Sequence, residues 1–263
     1  MLGSIAGDVI GSVYEGSGMK EVMFPLFTPW SGFTADAVLT VATASAILTN
    51  TPYGMAYHTF GRCYPDVGYG PLFARWLEEA RPRPYNSFGN GAAMRVAPIG
   101  FAFSTREEVL REAERSAMVT HDHPEGVKAA QAVALAVFLA RSGASKGDIR
   151  AELMVRFPSY DLLRTIDEIR PVYEFDGTCQ GSVPEAIIAF LDSTDYEDAV
   201  RLAVSLGGDA DTQAAIAGGI AHAFYRHVPA AIDVAVRKRL PAELIEVIDQ
   251  FQDRFAETWW PDH

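Results

Sequence analysis

The sequence predicts an all-α protein. Three observations carry that prediction. Apolar residues recur at helical spacing through most of the chain. No alternating run of five or more residues resists explanation as a helix. No Ser/Gly-rich linker or fixed-period repeat divides the 263 residues. Residues 1–263 are therefore read as one compact all-α domain of many helices. Hydrophobic residues are 49% of the chain, enough for a sizeable core, and charged residues are 21%, the ordinary share for a soluble domain.

The elements follow in chain order. "MLGSIAGDVIGSVYEG" (1–16) is apolar but has no basic flank and is interrupted by Asp8, so it does not read as a signal peptide; it sets Asp8 and Glu15 among glycines near a helix end. "ADAVLTVATASAIL" puts Ala35, Val38, Leu39, Ala42 and Ala46 on one stripe. "REEVLREAERSAM" (106–118) is an amphipathic surface helix with Ser104 or Thr105 as its cap. "PEGVKAAQAVALAVFLAR", Pro124 to Arg141, is apolar nearly all round after its first turn and reads as a buried central helix. Pro124 suits the first turn, where its missing N–H is unused. Stretches 182–193, 196–206, 211–226 and 241–255 continue the helical pattern. "PVYEF" (171–175) is the best strand candidate, and it is short. The irregular stretches 15–33, 81–91 and 171–181 are rich in Gly, Pro, Asn and aromatics and read as ordered functional loops.

Charge and cysteine usage exclude some functions. The net charge of −12 repels a phosphate backbone, and the basic runs "RPRP" (81–84) and "VRKRL" (236–240) are too short and isolated to rescue nucleic-acid binding. No run of 18 or more uncharged apolar residues occurs, so no membrane span is expected. Cys63 and Cys179 form no CxxC pair and read as reduced thiols, which makes the cytoplasm the expected compartment. No uncovered coiled-coil seam is visible, and a monomer is expected.

Four stretches carry the chemistry. In "GGDADT" (207–212), Asp209 and Asp211 converge if the first sits in the turn and the second in the first turn of the next helix, where Thr212 adds a hydroxyl. Such a set suits a hard cation, Mg²⁺ or Mn²⁺. An N-cap at Asp209 with a first-turn acid at Asp211 is the equal alternative. In "YNSFGNGAAMR" (85–95), a glycine-rich loop feeds a helical-looking segment and would bind an anion through free N–H groups, with Phe88 free to stack on a base or ribose; an ordinary Asn-Gly turn is the other reading. In "THDHPEG" (120–126), His121 and His123 lack further partners for zinc, so a ligand-contacting or capping histidine is expected. In "GDVIGSVYEG" (7–16), Glu15 reads as a mobile acid or base, or as a solvent-facing carboxylate.

Taken in order, these motifs resemble the ADP-ribosylglycohydrolase family, from "GSIAGDVIGSVYEG" to "GGDADTQAAIAGGIAHAFY". The resemblance implies an all-α fold around a two-site Mg²⁺ or Mn²⁺ centre. It implies hydrolysis of the glycosidic bond joining ADP-ribose to a protein side chain or small acceptor. By the same resemblance Thr34, Asp36, Asp209, Asp211 and Thr212 are metal ligands, and Glu15, Asp36 and Asp209 are catalytic. Ser87, Phe88, Gly89, Asn90, Gly91, Met94 and His121 would bind the ADP-ribose.

One departure stands out. The family pattern at 34–37 is usually Thr-Asp-Asp-Thr, whereas this chain reads Thr34-Ala35-Asp36-Ala37. Loss of a carboxylate weakens one metal site and, with it, two-metal catalysis. The sequence accommodates a reader of ADP-ribose without turnover, an enzyme running on one metal or a shifted ligand, and an engineered substrate trap.

Overall fold

The computed structural model describes residues 1–259. Its helices are α1 (Leu2–Gly11), α2 (Ala35–Thr49), α3 (Tyr53–Cys63), α4 (Pro71–Glu78), α5 (Ala97–Ala102), α6 (Arg106–Ala117), α7 (Pro124–Arg141), α8 (Lys146–Arg156), α9 (Ile166–Ile169), α10 (Cys179–Asp192), α11 (Tyr196–Val204), α12 (Ala210–Tyr225), α13 (Ala230–Arg237) and α14 (Ala242–Trp259). Among the described residues there is no strand. Residues 171–175 are turn and irregular chain, and the one β-type pairing is an isolated bridge between Gly89 and Thr178.

Two helices form the centre. Helix α7 is buried over most of its length, as its all-round apolar pattern requires. Helix α12 is buried from Ala210 to Ala223 and packs against α1, α7, α10 and α11. Helix α1 is buried at every position, and its glycines explain how. A Cβ at Gly3 would stand 2.5 Å from the Gly218 carbonyl oxygen, at Gly7 2.0 Å from that of Ala214, and at Gly11 2.4 Å from that of Ala210. Glycines at i, i+4 and i+8 line one face of α1, so the two helices meet backbone to backbone. That contact carries Asp8 to the start of α12.

The caps settle local choices left open above. Thr105 caps α6 in a reciprocal box with Glu108. His123 caps α7, its Nδ1 accepting from Glu125 N at 3.1 Å. Helix α10 begins at Cys179, earlier than the apolar pattern suggests, because Thr178 accepts from Gly181 N and holds an extra turn.

The three irregular stretches converge on the N-terminus of α12. Gly16 N donates to Gly208 O at 3.1 Å, and Lys20 Nζ donates to Tyr173 O at 2.6 Å. Asn90 N donates to Gly177 O at 2.9 Å and Cys179 N to Phe88 O at 2.8 Å. Gly207 turns the chain into α12 with φ +74°, where a side chain would also meet Met19 O.

Candidate active site

Two helix N-termini bring the acids together. Thr34 is the N-cap of α2, its hydroxyl accepting from Asp36 N at 3.2 Å. The same hydroxyl donates to Asp8 Oδ1 at 2.6 Å, while Asp8 Oδ2 accepts from Thr34 N and Ala37 N, each at 3.0 Å. Asp8 therefore caps α2 from a neighbouring helix. Thr34 Oγ1 retains one uncommitted lone pair for any further ligand.

At α12, Asp209 holds the N-cap position but makes no capping hydrogen bond. Its Oδ2 instead accepts from Asn90 Nδ2 at 2.8 Å. Asn90 is held in turn by its backbone bond to Gly177 and by Nδ2 donating to Ser182 Oγ at 3.2 Å. Of the two local readings of "GGDADT", the capping one fails for Asp209. Asp211 Oδ1 accepts from Thr212 N at 2.9 Å, and Thr212 Oγ1 donates across to Asp36 Oδ2 at 2.9 Å.

The acids form two overlapping groups, Asp8 with Asp36 and Asp211, and Glu15 with Asp209 and Asp211; within each, one oxygen per residue lies within 4.8 Å of the others. Asp211 belongs to both. Asp8, Asp36, Asp209 and Asp211 are buried and Glu15 is exposed. Among the described residues every ion pair lies elsewhere, so no Lys, Arg or His neutralises them. Burial pushes the Asp8 carboxyl up to about 6 despite its hydrogen bonds to Thr34 and Ala37. Burial and then the neighbouring carboxylates raise Asp36 and Asp211 well above the usual range. Glu15 is raised by burial and then by Asp209. Uncompensated oxygen donors of this kind fit a hard divalent cation.

A cavity of about 350 Å³ opens over these acids. Of the site residues expected from the sequence, Glu15, Thr34, Asp36, Ser87, Gly89, Asn90, Gly91, Met94, His121, Asp209, Asp211 and Thr212 line it. Phe88 does not. It is 48% exposed and packs edge-on against His123, ring centroids 5.5 Å apart. The loop's amides also differ from expectation. Gly89 N donates to Ser87 Oγ at 3.1 Å and Asn90 N is taken by Gly177, so these two N–H groups are not free for an anion. The Ser87 hydroxyl accepts that bond and keeps its own proton to donate. Gly91 itself lies in a 3₁₀ turn (Asn90–Ala92), and α5 starts only at Ala97, so the segment is not one continuous helix.

The sequence reading missed Asp8 as a member of the acid cluster. Its signal was the Gly3/Gly7/Gly11 spacing, which marks a helix face in close contact and fixes where position 8 points. It also missed Tyr69, Phe73, Tyr85 and Arg95 in the cavity wall. Tyr69 and Phe73 are brought in by the chain leading into α4, where no local motif announces them, and Tyr85 and Arg95 are the two ends of the 85–95 stretch, whose glycine loop alone drew the reading. Ala35 lines the cavity too, and it is 7% exposed.

A helical bundle that gathers carboxylates at helix N-termini beneath a glycine-rich loop has clear relatives. A model of the ADP-ribosylglycohydrolase family matches residues 1–261, and the chain belongs to that family. The human (Homo sapiens) ADP-ribosylhydrolase ARH3 is 30% identical over 306 residues, covering 86% of this chain and 84% of that protein. The ADP-ribosylarginine hydrolase Tri1 of Pseudomonas putida (strain GB-1) is 30% identical over 180 residues, covering 63% of this chain and 47% of that protein. A solved structure described as an ADP-ribosylglycohydrolase-related protein complex superposes with a TM-score of 0.74 at 26% identity, covering 97% of this chain and 95% of that one. The family and its named relatives are hydrolases of the glycohydrolase type.

Proposed function

We propose that this chain acts on ADP-ribose linked to a protein side chain or small acceptor, by Mg²⁺- or Mn²⁺-dependent hydrolysis of the glycosidic bond, and that Ala35 and Ala37 impair that reaction. The observation that carries the reading is the cation-free cluster of Asp8, Glu15, Asp36, Asp209 and Asp211 beneath the cavity. Thr34, Asp36, Asp209, Asp211 and Thr212 would hold the metal, in two sites of which the one facing Ala35 is weakened. A divalent cation bound there supplies positive charge that polarises the ribose hydroxyls and acidifies a nearby water.

The protein's own groups have defined tasks in this reading. Glu15, exposed at the cavity mouth with its carboxyl raised, carries the proton needed by the departing acceptor. Asn90 orients Asp209 by donating to its Oδ2. Asp36 and Asp209 stabilise positive charge developing at the anomeric carbon. Ser87 and His121 face the diphosphate, with Gly89, Gly91 and Met94 shaping the wall. Phe88, on the outer rim, is free to stack on a base that extends past the loop. Residues 1–263 work as one monomeric domain in the cytoplasm, consistent with the free thiols of Cys63 and Cys179. Among the described residues no helix is long and apolar enough to cross a membrane, and no nucleic-acid backbone is a partner.

A second reading has its own observation. The Ala35 methyl sits in the cavity wall where the family pattern carries a carboxylate, so the chain would bind ADP-ribose without cleaving it. One paired experiment separates the two. This protein and the Ala35→Asp/Ala37→Thr variant are titrated with Mg²⁺ and Mn²⁺ in the presence of ADP-ribose, and ADP-ribose release from modified arginine and serine peptides is assayed. A variant that gains a metal and turns over faster supports the impaired hydrolase. Equal behaviour without hydrolysis supports the binder. No ADP-ribose binding by either protein refutes both.

A further inference from the structure

Among the described residues Arg95 is the largest fully buried side chain, and no carboxylate among them pairs with it. Its guanidinium carbon lies 4.1 Å from the centroid of the Tyr57 ring. Its Nη2 donates to Ser116 O at 3.2 Å and to Thr120 Oγ1 at 2.8 Å. Thr120 Oγ1 is in turn 2.7 Å from His121 Nδ1. A buried cation, a buried hydroxyl and a buried imidazole thus form a chain that ends at the cavity.

From this chain we infer that Arg95 and Thr120 are positioning residues that fix His121 as its Nε2–H tautomer, so that the imidazole presents a donor to the anionic ligand over the glycine loop. The ligand half of this inference rests on the function proposed above. The logic is one of proton accounting. A guanidinium only donates, so the Thr120 oxygen is an acceptor toward Arg95. Thr120 is wholly buried, and its own proton needs an acceptor. In this relay His121 Nδ1, 2.7 Å away, is that acceptor and is therefore unprotonated. The remaining ring proton lies on Nε2.

The Nε2 edge faces the loop. A Cβ at Gly91 would stand 3.2 Å from Nε2, and one at Gly89 3.9 Å. Glycine at both positions keeps that edge open to the cavity. The donor matters because the N–H groups of Gly89 and Asn90 are already engaged. The groups around the ring agree with a neutral imidazole. Tyr85 packs with its ring centroid 5.8 Å away, and the neighbouring Asp122 carboxylate is turned out to accept from Asn86 N at 2.7 Å. Burial and then the charge of Arg95 hold His121 well below the ordinary histidine value. Tyr85, whose hydroxyl Thr120 also approaches, is the one competing acceptor for the Thr120 proton.

The test reads the tautomer directly and separately from ligand binding. Nitrogen NMR of the labelled full chain should show His121 with an unprotonated Nδ1 and a protonated Nε2. Thr120→Val should shift the ring toward the other tautomer, Thr120→Ser should restore it, and Tyr85→Phe should leave it unchanged. Calorimetry with ADP-ribose should show binding weakened roughly tenfold or more by Thr120→Val, the loss of a well-formed hydrogen bond to a charged group, with recovery in Thr120→Ser. A protonated Nδ1 in the unmutated protein overturns the relay whether or not any variant folds, and so does a changed tautomer in Tyr85→Phe. A shifted tautomer with unchanged affinity overturns the donor role. If the unmutated protein binds no ADP-ribose, the proposed function and the donor role fall together, and the NMR result still decides the relay.

Discussion

Replacing Asp8 by Asn should stabilise the metal-stripped protein at pH 8 and leave it nearly unchanged at pH 4.5. The Asp8 carboxyl rises from 3.8 to about 6 on folding. A carboxyl raised in the folded state holds its proton more tightly there than in the unfolded chain. Its ionisation therefore costs nothing well below pH 4, and the cost grows between about pH 4 and 6 and is complete above that. A shift of about two units is worth about 3 kcal/mol. Asparagine keeps the shape. Its carbonyl oxygen can accept from Thr34 N and Ala37 N as Oδ2 now does, and its amide can donate to Thr34 Oγ1. The Thr34 proton is then displaced, at a cost of about 1 kcal/mol.

The balance is a gain of about 2 kcal/mol at pH 8, where the full penalty is removed, and about zero at pH 4.5, where only part of it has developed. Urea unfolding at both pH values, with chelator present, measures it. For a chain of this size the pH 8 difference corresponds to a rise of about 4–8 °C in melting temperature. Asp8→Asn lowering stability equally at both pH values would refute the reasoning. The Asp8 carboxylate would then be a net stabilising anion at the start of α2, with hydrogen bonds and helix dipole outweighing burial.

Three further outcomes are expected. Mg²⁺ or Mn²⁺ should raise the melting temperature of the metal-stripped protein more at pH 8 than at pH 5, because Asp8, Asp36 and Asp211 are all raised and compete with protons at the lower pH; differential scanning fluorimetry reads this. Gly7→Ala should destabilise by about 3 kcal/mol or more, since the new methyl meets the Ala214 carbonyl at 2.0 Å in a backbone-to-backbone contact; urea unfolding by circular dichroism measures it. Gly91→Ala should weaken ADP-ribose binding about tenfold with little change in melting temperature, because its methyl would press on His121 Nε2 at 3.2 Å and cover the donor edge; calorimetry checks it.

The helical class was legible because burial by helices leaves a period in the sequence, and the long stretches α2, α7 and α12 carry that period or an all-round apolar run. The acids at 209 and 211 were legible because two carboxylates crowd one helix start. Asp8 was not, because its role depends on a contact between α1 and α12, and glycines read locally as breakers where here they are the packing surface. Helices α3, α4, α8 and α13 were passed over because their apolar faces are short and diluted by polar residues; α13 buries only Ile232 and Val236. The loop amides were misjudged for a related reason. A Gly-Asn-Gly run announces free N–H groups, but residue 177 in a distant loop takes one of them. The relay through Arg95 and Thr120 was not legible, since it joins the residue closing one stretch (85–95, ahead of α5) to the residue opening another (120–126, after α6), and only the fold brings them together.

The two alanines bear on the site and scarcely on the fold. Ala37 N still donates to Asp8, Ala35 N donates to Val67 O at 2.8 Å, and Thr34 still caps α2. The first turn of α2 thus keeps its hydrogen bonds through backbone atoms that no side-chain change at 35 or 37 removes. In the absence of metal, a carboxylate at 35 would be a sixth acid beside a buried cluster that already lacks a cation. Such a group costs stability and repays it only when a cation binds. Stability without metal and affinity for metal are therefore opposed at this position. Ala35→Asp should lower the melting temperature of the stripped protein and widen the increment produced by Mg²⁺ or Mn²⁺. The cavity wall at Ser87, Gly91 and His121 lies on other elements and is untouched by the exchange, so under the proposed function binding of ADP-ribose would be separable from turnover. On the proposed function, a carboxylate missing at 35 would weaken a metal site while leaving the cavity wall as it is, which is the physical basis for weighing a binder against a hydrolase on the same scaffold.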